Sequence, residues 1–383
     1  MNHLTMRILL ITGSFPPMRC GVGDYTACLA KALGKRKDTR VGVLSDEAAG
    51  LAHPEDNIEI FPIIRGWTIL DAVRIFQKLR DWRPDVVHIQ FHTQGYGRHI
   101  LPRLLPSMLW LLKVPVIQTW HECFYRQLGR GLPALPNLMI PGSVIVVMPN
   151  YRDMMHPWYR WIARRKQLSF IPNVSSIPKV QLTERERAVI RAKYAPGTDH
   201  LIAFFGFASP GKGIEAICDI ADPKVSSLVL ICDLTSADPT HKTFHMYHKQ
   251  LLDRVNAKPW IGRATVTGFL PPDEVGRILA ASDAAVFPFR DGGGIWNTST
   301  KAATLQGTFV LVTGLEQHGY DPEENIYCAL PGDLADMRRA LSLYMGRRND
   351  AGLGNTDWGS VAEAHFRHYS GVLNQGTTSN VGN

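Results

Sequence analysis

"FFGFASPGKGIEAI", residues 204–217, reads as a strand, a tight turn and a helix in succession. An apolar run stops at a turn, Lys212 stands between Gly211 and Gly213, and an apolar helical pattern resumes behind it. Continuous apolar runs suit parallel strands covered on both faces. A strand that feeds a helix in this way begins a right-handed crossover. Taken alone, Lys212 is either a solvated loop lysine or a point charge placed at a helix start to meet a phosphate.

The same rhythm extends in both directions. Downstream, SLVLIC (227–232), ATVTGF (264–269), AAVFPF (284–289) and FVLVT (309–313) read as strands. Upstream, MRILLIT (6–12), TRVGVLS (39–45), DVVHIQF (85–91), PVIQTW (115–120) and SVIVVM (143–148) do the same. Two such series, alternating with helical patterns, predict an α/β chain of two facing, doubly wound Rossmann-like domains. Residues 1–175 form the first domain and 176–355 the second, entered through the Pro-containing, charged segment 175–200. The pattern at 358–373 predicts a last helix within 356–374, and 375–383 reads as a disordered tail.

Composition narrows the function classes. The 383 residues are 45% hydrophobic and 20% charged, ordinary values for a globular chain able to bury a core. Runs such as MLWLL (108–112) are too short to span a bilayer. The N-terminal apolar stretch lacks the length and cleavage site of a signal peptide, so the expected location is the cytoplasm. Six cysteines without CxxC spacing argue against a zinc site or a redox pair. Residues 1–175 carry 22 Lys/Arg against 12 Asp/Glu, whereas 176–383 carry 20 against 22. The first half therefore suits an anionic surface or substrate. Without zinc-finger spacing or aromatic RNA-binding signatures, nucleic acid is not the expected partner.

Four stretches carry candidate chemistry. In GSFPPMRCGVGDYTACLAKAL (13–33), Gly21 and Gly23 lie in a loop before a helix expected to start near Asp24. Glycine there lets a ligand approach backbone N–H groups, although a tight turn capped by Asp24 explains the pattern equally. In VIQTWHECFYRQ (116–127), His121 and Glu122 follow a strand, at the sheet edge where open α/β folds bind ligands. Lys212 has the same position in the second half. In FPFRDGGGIWNTSTKAATLQG (287–307), Gly292, Gly293 and Gly294 follow Asp291 and offer consecutive amides as an anion nest, with Ser299 near the next helix start.

The order of these segments resembles the retaining GT-B glycosyltransferases of family 4, the group-1 glycosyltransferases, over about residues 6–373. The resemblance rests on the Gly-rich first loop, TWHE (119–122), IPNVSSIP (171–178), FFGFASPGKGIEAI and VTGFLPPDEVGRILAASDAAVFPF (266–289), then the Gly-rich loop running into AATLQG (302–307) and FVLVT. It implies transfer of a sugar from a nucleotide-sugar, with retained anomeric configuration and no bound metal or other cofactor. The donor would lie mainly on the second domain and the acceptor mainly on the first, and the last helix would cross back to brace the first domain. His121 matches the family histidine near the donor sugar, and Lys212 matches the lysine on the diphosphate. Gly21 and Gly23 would approach the donor phosphates, and Gly268 and Phe269 would flank the nucleobase.

The departures are specific. Phe207 stands where the family often has an arginine, and the Glu-x7-Glu carboxylates fall on Gly294 and Ala302. Within a similar subgroup, Asp291, the glycine amides and Ser299 take over donor contacts, and Asp291 joins His121 and Lys212 as a catalytic candidate. Glu316 and His318 are further candidates, with a surface role the favoured reading. No obvious carboxylate nucleophile appears, so a front-face route with an oxocarbenium-like transition state is expected, with His121 bonding the donor sugar. The segments 97–113 and 156–167 mix Arg and Lys with Trp, Tyr and Leu, which fits an acceptor domain resting on anionic lipid at the inner face of the plasma membrane. The acceptor is thus a glycan or lipid-linked molecule, as in cell-surface polysaccharide or glycoconjugate synthesis. A solvated basic helix face explains the same residues. A catalytically degenerate homologue, a nucleotide-sugar-binding protein and a sugar epimerase remain open alternatives.

Overall fold

The computed structural model describes residues 5–52, 57–92, 95–97, 99–123, 125–234, 242–294, 296–315, 318–349 and 357–378. The chain divides into two units, one of Met1–Pro172 with Thr356–Asn383 and one of Asn173–Asn355.

The first unit is built on the strands β1 (Met6–Thr12), β2 (Thr39–Asp46), β3 (Ile58–Ile64), β4 (Val86–Phe91), β5 (Val116–Trp120), β6 (Gly142–Val146) and β7 (Lys166–Phe170). They form one parallel sheet in the order β3-β2-β1-β4-β5-β6-β7. The interior strands are the apolar runs read from the sequence. The two edge strands were not expected. β3 contains Pro62, which an edge strand tolerates, and β7 (KQLSF) alternates too many polar residues to register as a buried run. The helices α1 (Gly21–Gly34), α2 (Asp71–Trp82), α3 (Leu101–Leu111), α4 (Leu128–Gly131), α5 (Leu135–Met139), α6 (Tyr151–Met154) and α7 (Pro157–Ile162) complete the N-terminal part of this unit.

The second unit repeats the plan. It opens with α8 (Glu184–Tyr194), held by a capping box between Thr183 and Glu186. Its strands are β8 (His200–Phe205), β9 (Ser226–Ile231), β10 (Ala264–Val266), β11 (Ala284–Phe287), β12 (Phe309–Thr313), β13 (Gly319–Asp321) and β14 (Ile326–Ala329), in the order β10-β9-β8-β11-β12-β14-β13. Only β13 runs antiparallel to its neighbour among the described strands. Around them lie α9 (Glu215–Ile220), α10 (Lys242–Val255), α11 (Pro272–Ala281), α12 (Thr298–Leu305) and α13 (Leu334–Tyr344). β13 and β14 are too short for an apolar-run reading to detect.

The last helix, α14 (Trp358–Thr378), returns to the first unit and packs on α1. It continues through four residues, 375–378, that were expected to be disordered; 379–383 lie outside the described residues. Histidines dock it. Tyr369 OH lies 2.7 Å from His88 Nδ1, and His368 Nε2 lies 2.7 Å from Ser143 Oγ. Tyr25 OH reaches His365 Nε2 at 3.5 Å, while His365 Nδ1 donates to Val361 O at 2.8 Å. Arg36 pairs with Glu363 and stacks on the Phe366 ring at 3.7 Å.

Burial holds these imidazoles neutral. His88 is pushed well below the usual histidine range, His368 is lowered, and His365 falls to about 4. The unfolded chain therefore binds protons first as pH drops below about 6.5, and stability falls until the folded-state values are passed. His365 alone accounts for about 3 kcal/mol of that loss by pH 4. The expected result is a urea midpoint that falls steadily between pH 6.5 and about 4. A midpoint flat across that window would contradict the histidine docking.

Candidate functional site

In each sheet the strand order reverses once, between β1 and β4 in the first unit and between β8 and β11 in the second. Connections leave such a point in opposite directions, which opens a crevice at the C-terminal strand edge.

In the first unit, His121 follows β5 directly, and its backbone N–H donates to Phe91 O at 3.2 Å. Its Nε2 donates to Gln90 Oε1 at 2.8 Å. The Gln90 amide nitrogen faces both ring nitrogens of His88 at 3.3 and 3.4 Å, which sets the orientation of that amide. His88 Nε2 in turn meets Thr119 Oγ1 at 2.7 Å. His121 therefore keeps its proton on Nε2 and presents Nδ1 as a lone-pair acceptor. Tyr25 packs edge-on against the ring at 4.9 Å. Although part of His121 remains exposed, burial pushes its imidazole well below the usual range, with smaller contributions from His92 and His365. At neutral pH it is an uncharged acceptor, suited to a sugar hydroxyl and unsuited to acid catalysis.

Gly21 and Gly23 are not in a loop. They lie in the first turn of α1, whose cap is Cys20 without a side-chain bond. Asp24 is not the cap either, because its N–H already donates to Cys20 O at 2.9 Å as an ordinary helical bond. Asp24 is the expected polar cap in this pattern, and the helix starts without a capping side chain. Gly23 packs tightly: a Cβ there would stand 3.1 Å from Ser14 O, so a side chain would press on the Ser14 backbone. Burial raises the Asp24 carboxyl to about 6.

Two residues at this edge escaped the sequence reading. Ser14 and His92 lie just past β1 and β4, each 2% exposed. Ser14 Oγ and His92 Nε2 are buried and have no hydrogen-bond partner among the described residues. His92 Nδ1 accepts from Gly95 N–H at 3.0 Å, so Nε2 carries the proton. Their position beyond adjacent strands was the signal available for finding them.

In the second unit, Lys212 ends a 3-10 turn, Pro210–Lys212, and α9 starts only at Glu215. The expectation that Lys212 opens the helix is corrected by Gly213, which takes φ +60° and separates the two. A Cβ at Gly213 would collide with the Pro288 carbonyl, and Arg290 N–H donates to Gly211 O at 2.9 Å. The turn is thus laid against the end of β11. The Lys212 ammonium sits 4.4 Å over the Phe289 ring. Burial lowers its pKa to about 8, and no carboxylate among the described residues pairs with it. It is a cation without an anion.

The three glycines after Asp291 have separate structural reasons, which corrects the nest expectation in part. Gly292 and Gly294 take φ +69° and +63°, and their amides are already spent on Phe289 O at 3.2 Å and Thr313 O at 3.1 Å. Gly293 lies so close to the Phe289 ring that any side chain would collide with it. Its amide alone of the three makes no backbone bond among the described residues. Asp291 is exposed, and no hydrogen bond within the described residues holds its side chain. Ser299 lies in the first turn of α12, where Asn297 Oδ1 caps its N–H at 3.0 Å. A Cβ at Gly206, just past β8, would be 3.0 Å from Ser299 Oγ, so Ser299 faces the switch point. Gly268, at φ +74°, and the 54%-exposed Phe269 follow β10 at the same sheet edge. His318 is exposed, and Glu316 lies outside the described residues. Among the described residues no three His, Cys, Asp or Glu side chains cluster as a metal site.

Residues 20–173 match the family model of Glycosyltransferase Family 4. No curated protein sequence matches the chain. Among solved structures, sucrose-phosphate synthase from Thermosynechococcus elongatus is similar at 15% identity, 98% coverage of each chain and a TM-score of 0.70. Anabaena HepE in complex with UDP-glucose is similar at 15% identity, covering 98% of this chain and 99% of that one, with a TM-score of 0.63. UDP-GlcNAc 2-epimerase from Methanocaldococcus jannaschii shares 14% identity over 95% of this chain and 99% of that one, at a TM-score of 0.54. The fold is GT-B, and the resemblance to family 4 glycosyltransferases is borne out by the family match and the fold.

Proposed function

We propose that this chain is a retaining glycosyltransferase that moves a sugar from a nucleotide-sugar to a glycan or lipid-linked acceptor. The observation that carries the reading is Lys212, a desolvated ammonium at the switch-point edge of the second sheet, with no carboxylate partner among the described residues. Leaving-group departure puts charge on a diphosphate, and a preplaced cation stabilises it there. The unspent Gly293 amide and Ser299 add hydrogen-bond donors at the same edge. Gly268 and Phe269 would border the base. His121, neutral and presenting an acceptor, takes a donor-sugar hydroxyl. With no obvious carboxylate nucleophile among the candidate residues, the acceptor hydroxyl attacks the face the diphosphate leaves, and its proton passes to the departing phosphate oxygen. A metal-independent, hexosyl-transferring reaction fits this arrangement.

The test is incubation with a panel of nucleotide-sugars in EDTA. The expected result is release of one nucleoside diphosphate together with a glycosylated product of unchanged anomeric configuration. Binding without release would mark a degenerate homologue, and interconversion of the sugar alone an epimerase. An inverted product would overturn the front-face step.

Support for a lipid-facing acceptor unit comes from the α3, α5 and α7 surface, where α3 packs on α5 and α5 on α7. Trp110, Leu111, Leu112, Met139, Trp158 and Trp161 are all exposed there. Lys113, Arg164 and Arg165 are exposed beside them, with Arg164 4.5 Å over the Trp161 ring. Aromatic and basic side chains together suit an anionic membrane surface. No helix among the described residues is long and apolar enough to cross a membrane. The protein is expected to float with phosphatidylglycerol-containing vesicles at physiological salt. A Trp110→Ser, Trp161→Ser variant should lose about tenfold in partitioning, since binding scales with buried apolar area. Failure of the unaltered protein to float would contradict membrane docking.

A further inference from the structure

Phe207, 54% exposed, leaves the Lys212 turn without the arginine that the family resemblance implies. The structure brings a different arginine to that turn. Arg290 follows β11, and its backbone N–H is bonded to Gly211 O at 2.9 Å. Its Cγ would lie 3.4 Å from a Cβ at Gly213, so the side chain runs directly past the residue after Lys212.

The guanidinium is held in a defined way. Nε and Nη2 donate to Glu215 Oε1 at 3.2 and 2.5 Å. Glu215 Oε2 accepts from Tyr247 OH at 2.8 Å, and the Tyr247 oxygen accepts Ile214 N–H at 3.0 Å. One chain of bonds thus fixes Arg290 and the backbone just beyond Lys212. Both Glu215 oxygens are engaged, whereas Nη1 of Arg290 has no acceptor among the described residues. The pair is exposed on the arginine side, at 56%, so it orients the guanidinium without burying it. Lys301, the other cation of the following segment, is committed to Glu324 at 3.3 Å. Asp291, adjacent and exposed, is the opposing charge.

We propose that Arg290 is the second cation of the diphosphate site, presented beside Lys212 by Glu215 as a positioning residue. The inference rests on the reading of this edge as a nucleoside diphosphate site. An arginine offers a planar fork of donors to phosphate oxygens, and Lys212 acts as a point charge. The charge missing at Phe207 is thereby supplied from the neighbouring strand.

Calorimetry in EDTA with inorganic pyrophosphate, with UDP, ADP and GDP, and with the parent nucleosides tests this. Arg290→Gln should weaken pyrophosphate and the preferred nucleoside diphosphate at least about tenfold, leaving the nucleoside within about twofold. Arg290→Lys should recover part of the loss, because it restores charge without the fork. Glu215→Gln should show a smaller diphosphate-selective loss. Arg290→Gln binding of diphosphates within twofold of the unaltered protein, with Lys212→Ala still impaired, would overturn the inference and leave the glycosyltransferase reading standing. A parallel loss of nucleoside and diphosphate binding would also overturn it, as the mark of a merely structural arginine. An unaltered protein that binds none of these anions would remove both the inference and the site reading.

Discussion

Replacing Lys212 by alanine is expected to weaken nucleoside diphosphate binding about a hundredfold, the scale of one hydrogen-bonded charge lost from a desolvated site. The parent nucleoside should bind within about twofold of its original affinity, because the ammonium sits over Phe289 at the β11 end and not at the Gly268 edge. The pH dependence follows from the same burial. In the free protein the lysine pKa is lowered to about 8 by desolvation alone. A bound diphosphate favours the charged form and raises that value. Affinity should therefore be constant below pH 8 and decline above it, by up to about tenfold per pH unit. In Lys212→Ala the decline should vanish. Calorimetric titrations from pH 6.5 to 9.5 check both statements, and equal losses for nucleoside and diphosphate would refute the phosphate contact.

His121→Ala should lower turnover about a hundredfold, within the range that loss of one transition-state hydrogen bond costs. The reason is the tautomer. His121 Nε2–H donates to Gln90 Oε1 at 2.8 Å, so Nδ1 is the atom offered to substrate. Because burial pushes the imidazole well below its usual range, no activity limb near pH 6.5 should belong to it. Initial rates from pH 5.5 to 8 with the active donor measure this. A variant with full turnover on every donor would dismiss the role, and a limb near pH 6.5 that disappears with His121 would replace it by general acid–base catalysis.

The fold was legible because interior parallel strands are apolar on both faces. MRILLIT and FVLVT appear as strands at the expected places. Edge strands obey a weaker rule, which is why KQLSF and GYD passed unnoticed. At the site, Lys212 and His121 announced themselves by following strands. Three glycines in a row suggested a nest, yet close packing on Phe289 and left-handed backbone account for them as well. The bonds that set His121 and Arg290 join residues 31 and 75 positions apart. Such partners are chosen by strand order, so no local pattern announces Gln90 or Glu215.

A crystal structure with the nucleoside diphosphate released in the donor panel decides whether the Lys212 edge of the second sheet receives the diphosphate of a sugar donor. A phosphate oxygen within about 3 Å of Lys212 Nζ, at hydrogen-bond distance, is the expected result. A nucleotide seated elsewhere, with Lys212 still uncontacted, would contradict it.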